Sequence, residues 1–238
     1  MNKAKIAIGI VVALIVLAFG GTWLYINVIK DDAPEKLTLD SGPTTTAASG
    51  GSATTTTAGG AATADGVDGT WKASSDSVVG YRVKEVLFGQ STEGVGRTNA
   101  VTGSMTIAGT TVSDATFSVD LTTMKSDSNQ RDGQFQNRIM NTSQFPKATF
   151  ELTKPIDLGS IPADGTEITA KATGDLTLRG KKRSVQLDIT AKRTGSTIST
   201  LSTYDVVFAD WGIDNPSFGP AQTEDHGLLE IKLVFSKS

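Results

Sequence analysis

The sequence predicts an all-β, antiparallel domain, and three observations carry that expectation. Apolar and polar residues alternate strictly in several stretches, as in Ala115, Phe117, Val119 and Leu121 against Thr116, Ser118, Asp120 and Thr122, which is the pattern of strands with one dry face. Glycines such as Gly109, Gly180 and Gly195 separate these stretches as turns would. No helical pattern long enough for a βαβ crossover intervenes, and parallel strands, covered on both faces, would read as continuous apolar runs. The architecture is therefore a barrel or a sandwich, between which periodicity alone does not choose.

Residues 1–30 are expected to form a transmembrane signal anchor. Ile6 to Ile29 is a run of 24 uncharged residues, which at about 1.5 Å per residue exceeds a hydrocarbon core of roughly 30 Å. Lys3 and Lys5 precede the run and Lys30, Asp31 and Asp32 follow it. The positive-inside rule then puts the N-terminus in the cytoplasm and the bulk of the chain outside, in a periplasmic or extracellular location. Trp23 and Tyr25 fall near the outer end, where amphipathic rings favour the interface. The competing reading is a cleaved signal peptide with Val16-Leu17-Ala18 as a loose processing site. Leu24, Ile26, Val28 and Ile29 prolong the apolar run beyond that point and favour the anchor.

Residues 31–66 read as a Thr/Ala/Gly/Ser-rich disordered linker. Ser41 to Ala64 contains only Ser, Gly, Thr, Ala and Pro, so no large apolar side chain offsets the entropy of ordering. As a flexible coil this stretch spans roughly 25 to 30 Å, enough to hold a domain near a membrane while leaving it free to reorient.

Residues 67–238 form the domain, and its length permits a sizeable core. Further dry faces run through Ala170, Ala172, Gly174, Leu176 and Leu178, through Val185, Leu187, Ile189 and Ala191, and through Leu229, Ile231, Leu233 and Phe235. Their alternating partners Lys171, Asp175, Asp188, Lys192, Glu230 and Lys232 are expected in water. Gly89 to Gly96, reading GQSTEGVG, lacks the Lys-Ser/Thr ending of a phosphate loop and reads as a flexible connection. A short helix is expected from Asp127, which with Gln130 makes a capping box. Phe135 and Ile139 share one face of it, and Gly133 weakens it by about 1 kcal/mol relative to Ala, so tertiary docking must hold it. Such a helix would cap one mouth of a barrel.

Several function classes are disfavoured. From Val67 onward 18 Lys plus Arg face 20 Asp plus Glu, so no global field favours nucleic acid. The basic run Lys181-Lys182-Arg183 reads as a solvated turn. There is no cysteine to serve as nucleophile, ligand or staple. His226 is the only histidine, it sits in an acidic loop context, and no Gly-x-Ser-x-Gly elbow accompanies it. The usual zinc ligand sets are excluded, and Asp127, Asp132 and Asp225 lack EF-hand spacing. The reading is a protein that is not an enzyme and needs no metal or cofactor. Small residues on the dry faces, such as Ala115, Ala170, Ala172, Gly174 and Ala191, leave space inside a barrel of the size that either packs solid or holds one small ligand.

The stretch Lys125 to Phe150, KSDSNQRDGQFQNRIMNTSQFPKATF, resembles the signature region of the YceI-like family. An Arg-Asp pair opens a short helix (Arg131, Asp132), an aromatic-Pro pair ends the segment (Phe145, Pro146), and an Ala-Thr-Phe strand follows (Ala148, Thr149, Phe150). Gly69-Thr70-Trp71 is similar to the family's opening, Gly174 to Gly180 to its central strand and turn, and Asp210-Trp211-Gly212-Ile213 to the start of its last hairpin. Family members often carry a His shortly after the Arg-Asp pair, where this chain has Gly133, Gln134 and Phe135. The resemblance spans roughly Val67 to Ser238. It implies an eight-stranded lipocalin-like barrel with a short capping helix, holding an isoprenoid lipid or isoprenoid quinone in an apolar interior. The candidate ligand-binding residues on this reading are Tyr81, Phe117, Val119, Arg131, Asp132, Phe135, Ile139, Phe145, Phe150, Ala172, Gly174, Leu176 and Trp211. The alternative is a non-catalytic envelope stress or protein-interaction module whose barrel core is solid.

Overall fold

The structure, a computed structural model, describes residues 33–40, 66–87, 89–219 and 221–238. In chain order the elements are β1 (Gly69–Ala73), β2 (Val78–Leu87), β3 (Gln90–Thr98), β4 (Val101–Ala108), β5 (Thr111–Asp120), β6 (Lys125–Ser126), helix α1 (Asn129–Gln134), β7 (Lys147–Leu152), β8 (Ile156–Asp157), β9 (Glu167–Leu178), β10 (Lys181–Thr194), β11 (Thr197–Val207), β12 (Ala221–Thr223) and β13 (His226–Lys237). A π-helical turn, Phe135–Ile139, continues α1.

Eight strands close into an antiparallel barrel in the order β1-β4-β5-β7-β9-β10-β11-β13, and β13 pairs back onto β1. Closure is what separates this architecture from a sandwich. β13 is long enough to carry two partners on its closing side: Phe235 to Lys237 pair with β1, and Leu228 to Lys232 pair with β2. β3 then lies against β2, and β4 against β1, so β1–β2 and β3–β4 act as two long, interrupted strands. The expected turns at Gly109, Gly180 and Gly195 join β4 to β5, β9 to β10 and β10 to β11, and all three have positive φ. That conformation is open to glycine at little cost.

Two segments differ from the sequence expectation. Gly89 to Gly96 is no flexible connection: from Gln90 onward it is β3, laddered to β2 from Leu87–Gln90 to Val79–Thr98. Its glycines mark close neighbours across the strand. A Cβ on Gly96 would lie 2.4 Å from the Tyr81 ring, and one on Gly94 would lie 2.9 Å from Arg131 Nε. The second is β13, where Glu230 and Lys232 point away from the barrel interior but are buried, with 1% and 4% exposure.

Residues 33–40 lie against the outer wall at that point, within the stretch expected to be linker. Arg82 donates to the Pro34 carbonyl at 2.6 Å, to Glu93 at 2.5 Å and to Glu230 at 3.3 Å. Arg97 donates to the Glu35 carbonyl and approaches Glu230 at 3.4 Å. Leu37 is buried, and Asp40 pairs with Lys192 at 3.4 Å. The outer wall of β2 and β13 is thus covered by chain instead of water, and a two-arginine cage neutralises Glu230. Burial lowers the pKa of Lys232 from the ordinary lysine value, against the pull of Asp40 and Asp76. The other pairs on the wall, such as Lys171 with Asp188, are exposed and contribute little.

The expected anchor, residues 1–30, and the Ser41 to Ala64 stretch lie outside the described residues. Among the described residues no helix is long and apolar enough to cross a membrane.

Glu230→Gln should destabilise the fold by about 3 kcal/mol, because it removes the buried charge that Arg82 and the partly buried Arg97 share, leaving Arg82 only Glu93. Asp188→Asn should cost under about 1 kcal/mol. Urea unfolding of the two variants checks the contrast; equal, small effects would mean that the Glu230 cluster is solvated.

Candidate functional site

The side chains that point into the barrel do not fill it. A cavity of about 940 Å³ runs inside, walled by Val79, Tyr81 and Val83 of β2, Phe117 and Val119 of β5, Ala148 and Phe150 of β7, Leu176 and Leu178 of β9, Leu187 of β10, and Leu229 and Ile231 of β13. Each wall residue is the dry member of an alternating strand, so the period-two pattern and the closure of the sheet together make the pocket apolar. Its volume lies in the upper part of the range for small-molecule sites. The exposed Phe218 also lines it, as do Leu87 and its register partner Ala221, so it reaches the surface at that end.

Polar groups gather at this mouth. Glu85, Asp127, Ser128, Gln130, Arg131 and Gln134 all border the cavity. Arg131 bridges Glu85 at 2.8 Å and also pairs with Asp127. Burial works against the guanidinium charge, but the two carboxylates outweigh it and raise its pKa above the ordinary value. Tyr81 is held far above the usual phenol range, chiefly by burial and against the pull of Arg131. It therefore stays neutral, and its ring stacks on Phe135 with centroids 5.1 Å apart and planes at 9°.

The helical segment reaches the mouth because its first turn is anchored. The cap is Ser128, whose side chain accepts from the Arg131 backbone N–H at 3.4 Å. The sequence pointed to Asp127 instead, one residue earlier, but that carboxylate is engaged by Arg131. Asp132 is buried and accepts from both the backbone N–H and the hydroxyl of Ser126, at 2.8 and 2.7 Å, with Lys125 at 3.3 Å. The adjacent Arg131 and Asp132 thus divide their work. Arg131 faces the cavity, while Asp132 ties α1 to β6.

Of the sequence-derived candidates, Tyr81, Phe117, Val119, Arg131, Phe135, Ile139, Phe150 and Leu176 come together on this cavity. Five do not line it. Asp132 serves the helix as described. The ring of Phe145 lies over Gly180 in the β9–β10 turn, where an added Cβ would meet it at 2.5 Å. Trp211 is buried in its own 3-10 turn with the Arg183 guanidinium 5.9 Å from its ring. Gly174 lies beneath the Phe150 ring, which an added Cβ would meet at 2.4 Å. Ala172 lines a second, smaller cavity of about 130 Å³ toward the other end of the barrel. Cavity residues absent from the candidate set include Glu85, Leu187, Leu229 and Ile231. The last three carried the signal of a dry strand face; Glu85 carried none.

His226 opens β13 and does not border the cavity. Its ring is exposed, bonded to Asp225 at 2.9 Å and near Glu224 at 3.4 Å. The hydrogen bond to Asp225 raises its pKa above the ordinary imidazole value. Among the described residues no three His, Asp or Glu side chains gather as a metal site would require.

Asp132→Ala should cost folding stability on the order of 1 to 3 kcal/mol, because it strips a partly buried N–H and hydroxyl of their acceptor. Hydrogen exchange should accelerate selectively across residues 126–139. Uniform acceleration over the whole barrel would show that the segment does not move as a local unit.

A family model described as the YceI-like domain matches residues 71–235. Among solved structures, a polyisoprenoid binding domain from Saccharophagus degradans implicated in plant cell wall breakdown is similar at a TM-score of 0.58 and 14% identity, over 71% of this chain and 98% of that one. BcnA of Burkholderia cenocepacia is similar at a TM-score of 0.50 and 17% identity, over 65% of this chain and 95% of its own. At such identities the likeness is one of fold. No curated protein matches the sequence.

Proposed function

We propose that this chain, which belongs to the YceI-like domain family, is a membrane-tethered, extracytoplasmic protein that holds an isoprenoid lipid or isoprenoid quinone inside its barrel. The observation that carries this reading is the apolar cavity of about 940 Å³ with its polar rim of Glu85, Asp127 and Arg131. A long branched hydrocarbon with one polar end matches that division: the tail lies along the strand side chains and the head meets the charges at the mouth. Burial supplies about 0.8 kcal/mol per CH₂, so affinity needs no catalytic group and grows with tail length until the cavity ends. The Saccharophagus domain, of the same fold, is described as polyisoprenoid binding, which supports the choice of ligand class. A protein-interaction module with a solid core is the poorer reading, since the core has this empty volume.

Attachment to the membrane rests on the uncharged run Ile6 to Ile29. Only Lys30, Asp31 and Asp32 separate that run from residues 33–40 on the barrel wall. On this reading the barrel is held close to the bilayer from which a lipid would be drawn.

Native mass spectrometry of the protein purified gently from its own host should detect a copurifying isoprenoid lipid at about one per chain; consistently empty protein would count against the proposal. His226→Ala should leave lipid affinity within about threefold, because hydrophobic burial supplies the binding and no proton transfer is involved. Loss of a hydrolytic activity on that substitution, with the fold intact, would replace this reading by an enzymatic one.

A further inference from the structure

We propose that Phe117 and Phe150 form the floor that sets the length of the chain the barrel accepts, an inference that rests on the lipid-binding reading above. The main and smaller cavities share one layer of wall residues: Phe117, Phe150, Ile189, Thr200 and Leu233. Residues on the mouth side of this layer, such as Leu176, line only the large cavity, and those beyond it, such as Ala172, line only the small one. Phe117 and Phe150 are register partners on β5 and β7, so their rings enter the interior side by side.

Their positions are fixed by their neighbours. Phe117 lies over Gly103 of β4, where an added Cβ would come within 2.7 Å of its ring, and Phe150 lies over Gly174 of β9, where the distance would be 2.4 Å. Phe235, buried at the far side, meets Phe117 with ring centroids 5.6 Å apart and a 53° tilt. Glycine slots on either side and an aromatic prop below hold the two rings in place between the cavities.

Beyond this layer lies an apolar space of about 130 Å³. A dry cavity of about 150 Å³ lined by aliphatic and aromatic side chains is able to take benzene, so this space has room for one five-carbon isoprene unit. The floor withholds that room from the chain above. Shortening either ring joins the two spaces and should lengthen the accepted chain by one unit.

Delipidated full-length protein in detergent is titrated with all-trans polyprenols of increasing length, starting from farnesol, with native mass spectrometry as readout. In the wild type, affinity should rise with each added unit and then level off. In Phe150→Ala and Phe117→Ala the levelling point should move out by one isoprene unit, with at least a tenfold gain for that unit. Ala172→Leu, which fills the small space, should return the levelling point to its original place when combined with Phe150→Ala and should leave it unmoved alone. Phe150→Leu provides a milder opening if the alanine variants do not fold. A wild type that binds with a levelling point that no floor variant moves overturns this inference alone; a wild type that takes none of these chains overturns the lipid reading together with it.

Discussion

The structure depends on closure along β13. A sheet of eight alternating strands presents eight dry faces, and only when the first and last strands pair do these faces enclose a single interior. β13 achieves this by carrying β1 at its C-terminal end and β2 nearer its start. The volume so enclosed exceeds what the inward side chains occupy. Where large residues meet, at the Phe117–Phe150 layer, the interior is nearly divided; elsewhere valines, leucines and alanines leave it open. The cavity is thus a product of closure and side-chain size, and no special active-site machinery is required to build it.

Closure leaves the outer wall to be managed separately. On most of the barrel the outward residues are polar and exposed, as Lys171 and Asp188 are. At Arg82 of β2 and at Glu230 and Lys232 of β13 they are charged and buried, and residues 33–40 cover them by giving backbone carbonyls to Arg82 and to Arg97 of β3. This arrangement uses charge to position a segment: a buried carboxylate caged by two arginines has few alternative partners, so the covering chain is held in one register. The same device recurs at the mouth, where Glu85 and Asp127 hold Arg131, and Ser126 and Lys125 hold Asp132.

The strands and the dry-face residues were legible in the sequence because burial on one side imposes a period of two, and Gly109, Gly180 and Gly195 gave their turns. Barrel as against sandwich was not legible from periodicity, since the deciding contact joins Gly69–Ala73 to residues some 160 positions away. Gly89 to Gly96 misled because glycine reads locally as a loop, whereas here it makes room for Tyr81 and Arg131 from other elements. Glu230 and Lys232 misled because the segment that covers them is remote in sequence. For the site, alternation identified residues that point inward but gave no height along the barrel axis, so Ala172 and Leu176 looked equivalent although the Phe117–Phe150 layer separates them. The Arg131-Asp132 pair was visible as a motif, and only three-dimensional contacts assign one to the mouth and the other to the helix.

On the proposed function the interior is a container for one elongated apolar chain entered from the Arg131 end. The most direct measurement is a high-resolution crystal structure of the protein taken from its own host without a delipidating step. Continuous density with regularly spaced methyl branches should run along the barrel axis from the Glu85–Arg131 rim down to the Phe117–Phe150 layer. An interior collapsed onto itself, or filled by a chain of discrete, hydrogen-bonded waters, would contradict it.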